Sequence, residues 1–66
     1  MHAEMTEPLM TVAEVARMLS MSEAWVRQHS SGLRQPTIPS VKMGDKSVRF
    51  RRPRVLEFVA LNERVV

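Results

Sequence analysis

A mostly helical domain with one small β-hairpin, in the order α-α-β-β-α, is predicted by three features of this 66-residue chain. Residues 11–30, TVAEVARMLSMSEAWVRQHS, read as two short amphipathic helices around a tight turn. The segments VKM and VRFR alternate apolar with basic residues on either side of Gly44-Asp45-Lys46-Ser47. Pro53 then opens a third, apolar-rich helical segment.

Thr11 and Glu14 form the [ST]-x-x-[DE] pattern in which each side chain satisfies an orphan amide, so the first helix starts at about Val12. Val12, Val15, Ala16 and Leu19 make its apolar stripe, and Met10 is placed to pack onto Val15 as a hydrophobic staple. Ser20 stands where the chain turns. Ser22 is the expected N-cap of a second helix running from about Glu23 to Ser30, with Met21 and Val26 directed back toward the first and Gly32 suited to the C-terminal cap. Met21, Trp25 and His29 share one flank and are expected to pack together.

Residues 31–40, SGLRQPTIPS, form a loop stiffened by Pro36 and Pro39. In the hairpin that follows, alternation assigns Val41, Met43, Val48 and Phe50 to the face toward the helices. Lys42, Arg49 and Arg51 then face outward, with Lys46 near the tip. Pro53 fits the first turn of the third helix, whose inward positions are read as Val55, Leu56, Phe58 and Val59. The organisation expected is a flexible lead over residues 1–8, one domain over 9–62 and a short tail over 63–66.

Composition narrows the function classes. The chain has no cysteine, hence no disulfide framework and no thiolate metal site, and His2 and His29 lack the further ligands a metal centre requires. No apolar run suffices to cross a membrane, and no phosphate-binding loop, catalytic triad or paired-carboxylate cleft is recognisable. A cytoplasmic protein without catalytic residues, cofactor, metal, membrane partner or small-molecule substrate is the expectation. Charge is lopsided: residues 1–33 sum to −2 and residues 34–66 to +5, with six cations between Lys42 and Arg54. Such a patch is the footprint of a polyanion binder, although a solvated basic face has the same composition.

Two helices around a tight turn, followed by a basic hairpin, match a helix-turn-helix with a wing, although an antiparallel helix pair without a ligand shows the same apolar spacing. In that winged helix-turn-helix reading, Ser22, Glu23, Ala24, Arg27 and Gln28 of the second helix, with Ser31 beyond it, face the DNA major groove. Arg27 can fork onto guanine and Gln28 onto adenine; as ordinary solvated residues they would carry no such role. Lys42, Lys46, Arg49, Arg51, Arg52 and Arg54 are the wing and phosphate contacts. Arg52 and Arg54 flank a helix start, where the dipole disfavours cations, which suggests an external anion.

The segments TVAEVARMLSMS, AWVRQ and IPSVKMGDKSVRFRRPRVLEFV together resemble the excisionase branch of the MerR-like winged helix-turn-helix superfamily, over residues 9 to about 60. The family often has glycine where Ser20 stands and aliphatic residues where His29 and Ser30 stand. The resemblance implies a DNA-bending recombination directionality factor of phages and mobile elements. Such a protein binds repeated double-stranded sites cooperatively in a bacterial cell and directs a partner tyrosine integrase toward excision. Small transcriptional regulators use the same module, and a protein-interaction adaptor could reuse the scaffold without DNA.

Overall fold

A computed structural model describes residues 8–44 and 47–64. Most of the expected lead, Asp45, Lys46 (expected near the hairpin tip), Val65 and Val66 lie outside the described residues. The elements are α1 (Val12–Leu19), α2 (Glu23–Ser30), β1 (Val41–Lys42), β2 (Val48–Arg49) and α3 (Arg52–Leu61). The domain is therefore mostly helical, with a two-stranded antiparallel hairpin between the second and third helices.

Local chemistry sets the limits of α1. Glu14 N–H donates to Thr11 Oγ1 at 3.2 Å while Thr11 N–H donates to Glu14 Oε1 at 2.8 Å, a complete capping box. The second of these bonds is the largest cause holding the Glu14 carboxyl below its ordinary pKa, with Arg17 and Arg52 adding attraction. A depressed carboxylate pKa stabilises the fold at pH values above the unfolded group's pKa, and that contribution disappears as pH falls through the folded pKa. Thermal melts of Glu14→Gln should accordingly show a shallower loss of Tm on acidification below pH 4.5 than the wild type, whereas parallel acid limbs would remove Glu14 as the source.

The far end of α1 closes at Ser20, in left-handed backbone at φ 59°. Ser20 N–H donates to Arg17 O at 3.2 Å and Met21 N–H to Ala16 O at 2.9 Å, the paired bonds of a Schellman termination. Left-handed backbone costs a non-glycine residue about 1 kcal/mol. Ser20→Gly should therefore raise Tm by about 4–8 °C in a domain of this size, and an unchanged or lower Tm would show that no such cost is present.

Ser22 caps α2, its Oγ accepting from Trp25 N–H at 3.0 Å. Val26 is fully buried against the core, but Met21, expected to point the same way, leaves the left-handed turn exposed. Within the expected Met21-Trp25-His29 cluster, the Trp25 and His29 rings stack at 3.8 Å, 17° from parallel. His29 is buried, and its Nδ1 lies 2.8 Å from Pro36 O, a contact that makes Nδ1 the protonated nitrogen and donor. Its carbonyl accepts from Ile38 N–H at 2.8 Å. These bonds fasten the 31–40 loop to α2 and carry Ile38 into the core, where it is fully buried. Gly32, at φ +90°, supplies the left-handed step just beyond α2.

The hairpin departs from the alternation argument. Val41 pairs with Arg49 and Lys42 with Val48, and Met43 N–H donates to Ser47 O at 2.7 Å. Ser47 therefore joins the ladder opposite Met43, and the connection takes three residues, not the four of Gly44-Asp45-Lys46-Ser47. One residue fewer shifts the register by one and exchanges the faces of one strand relative to the other. β2 keeps its expected orientation, with Val48 packed on the core and Phe50 fully buried. β1 is the strand that is exchanged: Val41 and Met43 share a face with Arg49, leaving Met43 52% exposed, while Lys42 lies beside Val48 on the other face.

Phe50 also forms an antiparallel bridge to Met10, with N–H to O distances of 2.7 and 2.9 Å. Met10 is buried and so does reach the core, by strand pairing as well as by packing near Val15. In α3 only Val55 and Phe58 are buried; Leu56 and Val59, read as inward, are 52% and 42% exposed. The two buried residues belong to one core cluster with Phe50, Val15 and Val26; Leu56 projects around the helix from them, and Val59, one turn after Val55, sits at the rim of the buried side.

Candidate nucleic-acid interface

An open cleft of about 430 Å³ separates the C-terminal half of α2 from the hairpin. Arg27, Ser30 and Ser31 line one wall; Ser40, Lys42, Ser47 and Val48 line the other. The register change is what brings Lys42 here, because it turns that side chain to the same face as Val48. No carboxylate lines the cleft among the described residues. Three of the serine hydroxyls donate to α2 carbonyls: Ser30 to Arg27 O, Ser31 to Gln28 O and Ser40 to Ser30 O, at 3.2, 3.2 and 3.4 Å. Their hydrogens are thereby committed to the C-terminal carbonyls of α2, and Arg27 and Lys42 are the charged side chains of the lining.

The other residues proposed from sequence are distributed around this cleft. Ser22, Glu23, Ala24 and Gln28 are all exposed on α2. Arg27 makes an ion pair with Glu23 at 3.6 Å, both side chains more than half exposed, a contact worth only about 0.3–0.5 kcal/mol and easily exchanged for another anion. Arg49 is half-buried on the outer face of the hairpin, where its guanidinium donates to Val48 O at 2.9 Å. Arg51 is exposed and occupies the N-cap position of α3 without a capping side-chain bond.

Arg52 and Arg54 diverge. Arg52 lines a separate shallow cleft with Pro8, Thr11 and Glu14, while Arg54 pairs with Glu57 at 3.5 Å. Arg27 and Lys42 are thus brought together, whereas Arg52 is directed toward the start of α1. Lys46 lies outside the described residues. Ser30, Ser40 and Ser47 join the cleft without any signal in the sequence, because serines at helix, loop and strand ends have no distinctive spacing.

Among the described residues no group of three or more His, Cys, Asp or Glu side chains is placed to hold a metal ion, and no helix is long and apolar enough to cross a membrane. Comparison of the chain with protein-family models, curated proteins and solved structures finds no match.

Proposed function

We propose that this chain is a winged helix-turn-helix protein that binds duplex DNA, with α2 in the major groove and the β1–β2 hairpin as a wing along the adjacent backbone and minor groove. The observation that carries this reading is the meeting of α2 and the hairpin across one open cleft with a cation from each. α2 offers Gln28 and Ala24 on one exposed side, with Glu23 exposed beside Arg27. Fixed spacing between a helix and a basic hairpin lets one rigid body engage two neighbouring grooves.

The biological role we propose is architectural. The protein bends DNA at repeated sites and directs a tyrosine integrase toward excision, a reading supported by the sequence resemblance over residues 9 to about 60. A domain of this size covers limited DNA, so contacts between adjacent copies or with the integrase supply the remaining affinity. Gel-shift titration on DNA from the gene's own neighbourhood, using circularly permuted probes, tests the proposal. Stepwise cooperative complexes with position-dependent mobility, and stimulated excision when integrase is added, are expected. A single unbent complex without an effect on excision would instead indicate a transcriptional regulator; salt-insensitive protein association without DNA retention would indicate an adaptor.

A further inference from the structure

We propose that the cleft between α2 and the hairpin is the seat of a DNA phosphodiester, and that Arg27 is a phosphate clamp and not a base reader. The proposal rests on the duplex-DNA reading and adds a specific ligand and a division of labour within α2.

Three observations carry it. Arg27 and Lys42 come from different elements yet line the same cleft, which gives the cleft two positive charges with no carboxylate among its described lining. The hydroxyls of Ser30, Ser31 and Ser40 commit their hydrogens to α2 carbonyls, so Arg27 and Lys42 are the charged side chains of the lining that can hold an anion. Gln28 does not line the cleft: one residue further along a helix is a rotation of about 100°, so Arg27 and Gln28 point to different sides of α2.

Duplex geometry supplies the ligand. A sugar-phosphate strand separates the major from the minor groove, so a helix in one groove and a hairpin reaching the next must straddle that strand. The cleft is the part of the protein that straddles it. Arg27 then exchanges its weak pairing with Glu23 for a phosphate, Lys42 approaches from the opposite wall, and base discrimination is left to Gln28 and Ala24, which share the adjoining side of α2.

Salt dependence and sequence selection separate the two roles. Binding of the full chain to a 30-bp random-sequence duplex is measured over a salt series, alongside selection from a randomised duplex pool. Each phosphate contact contributes about 0.9 to the slope of log K against log salt. Arg27→Ala and Lys42→Ala should each lower the slope by about one unit, and the double variant by about two, whereas Arg64→Ala, outside the cleft, should leave it unchanged. The sequences enriched by Arg27→Ala should match those of the wild type, and those enriched by Gln28→Ala should differ. Both cations are exposed, and circular-dichroism melts verify that the variants fold. An unchanged slope for Arg27→Ala, or an altered base preference at a defined position, overturns the phosphate seat while leaving DNA binding intact. Failure of the wild type to retain any duplex at low salt overturns the DNA reading and the seat with it.

Discussion

Phe50→Ala should abolish the cooperative thermal transition or lower its midpoint by at least about 12 °C, the larger of the effects expected on the fold. Phe50 is fully buried and is the largest such side chain, set among Met10, Val15, Val26, Ile38 and Val55. Truncating a buried phenylalanine costs about 3–5 kcal/mol, through lost transfer energy and the cavity left behind. Domains carry about 0.05–0.15 kcal/mol of stability per residue, so the loss is comparable to everything a chain of this length possesses. The substitution also loosens the anchor beside the Met10 bridge. A shift below about 5 °C would show that the side chain does not organise the core.

The largest expected effect on binding comes from removing Lys42, Arg49 and Arg51 together. With a slope of 0.9 per phosphate contact, each contact is worth about eightfold in affinity at 0.1 M salt, so the triple alanine variant should bind duplex DNA about 500-fold more weakly. The loss should shrink steadily as salt rises toward 1 M, because it is counterion release that has been removed. Arg49 donates to the carbonyl of its neighbour Val48, a half-buried contact within the same strand that holds no two elements together, so the fold should persist without it. A loss below tenfold at 0.1 M salt would mean that the hairpin is not a principal backbone contact.

The positions of the elements were legible in the chain because their signals are local. Thr11 with Glu14, and Ser22 three residues before Trp25, are capping chemistry that does not depend on the remainder of the molecule, and α1 and α2 begin where those residues place them. The hairpin's side assignment was not legible to the same degree. Whether Ser47 belongs to the turn or to the ladder decides which way Lys42 faces, and alternation alone cannot tell a three-residue connection from a four-residue one. Ile38, isolated between loop residues, has no periodicity to announce its burial. Leu56 and Val59 illustrate the reverse error, since apolar residues in a short helix all read as inward until the packing shows how little of the helix circumference the core can cover.

For the candidate site the same division holds. Arg27 and Gln28 were identifiable as exposed residues of α2, and the basic run from Lys42 to Arg54 was visible in composition. Their grouping was not: Lys42 joins Arg27, Arg52 turns to the Glu14 end of α1, and Arg54 is engaged with Glu57. A linear charge run thus becomes several separate surfaces, and only one of them lies between α2 and the hairpin.

The most direct test of the proposed interface is chemical-shift mapping of the isotopically labelled chain during titration with a short DNA duplex. Perturbations should concentrate on the exposed side of α2, on Ser40, Lys42 and Ser47 around the cleft, and on the hairpin through Arg51, with Trp25 and His29 responding as their helix is engaged. Perturbations confined to the outer side of α3 around Leu56 and Val59, or none at low salt, would contradict that interface.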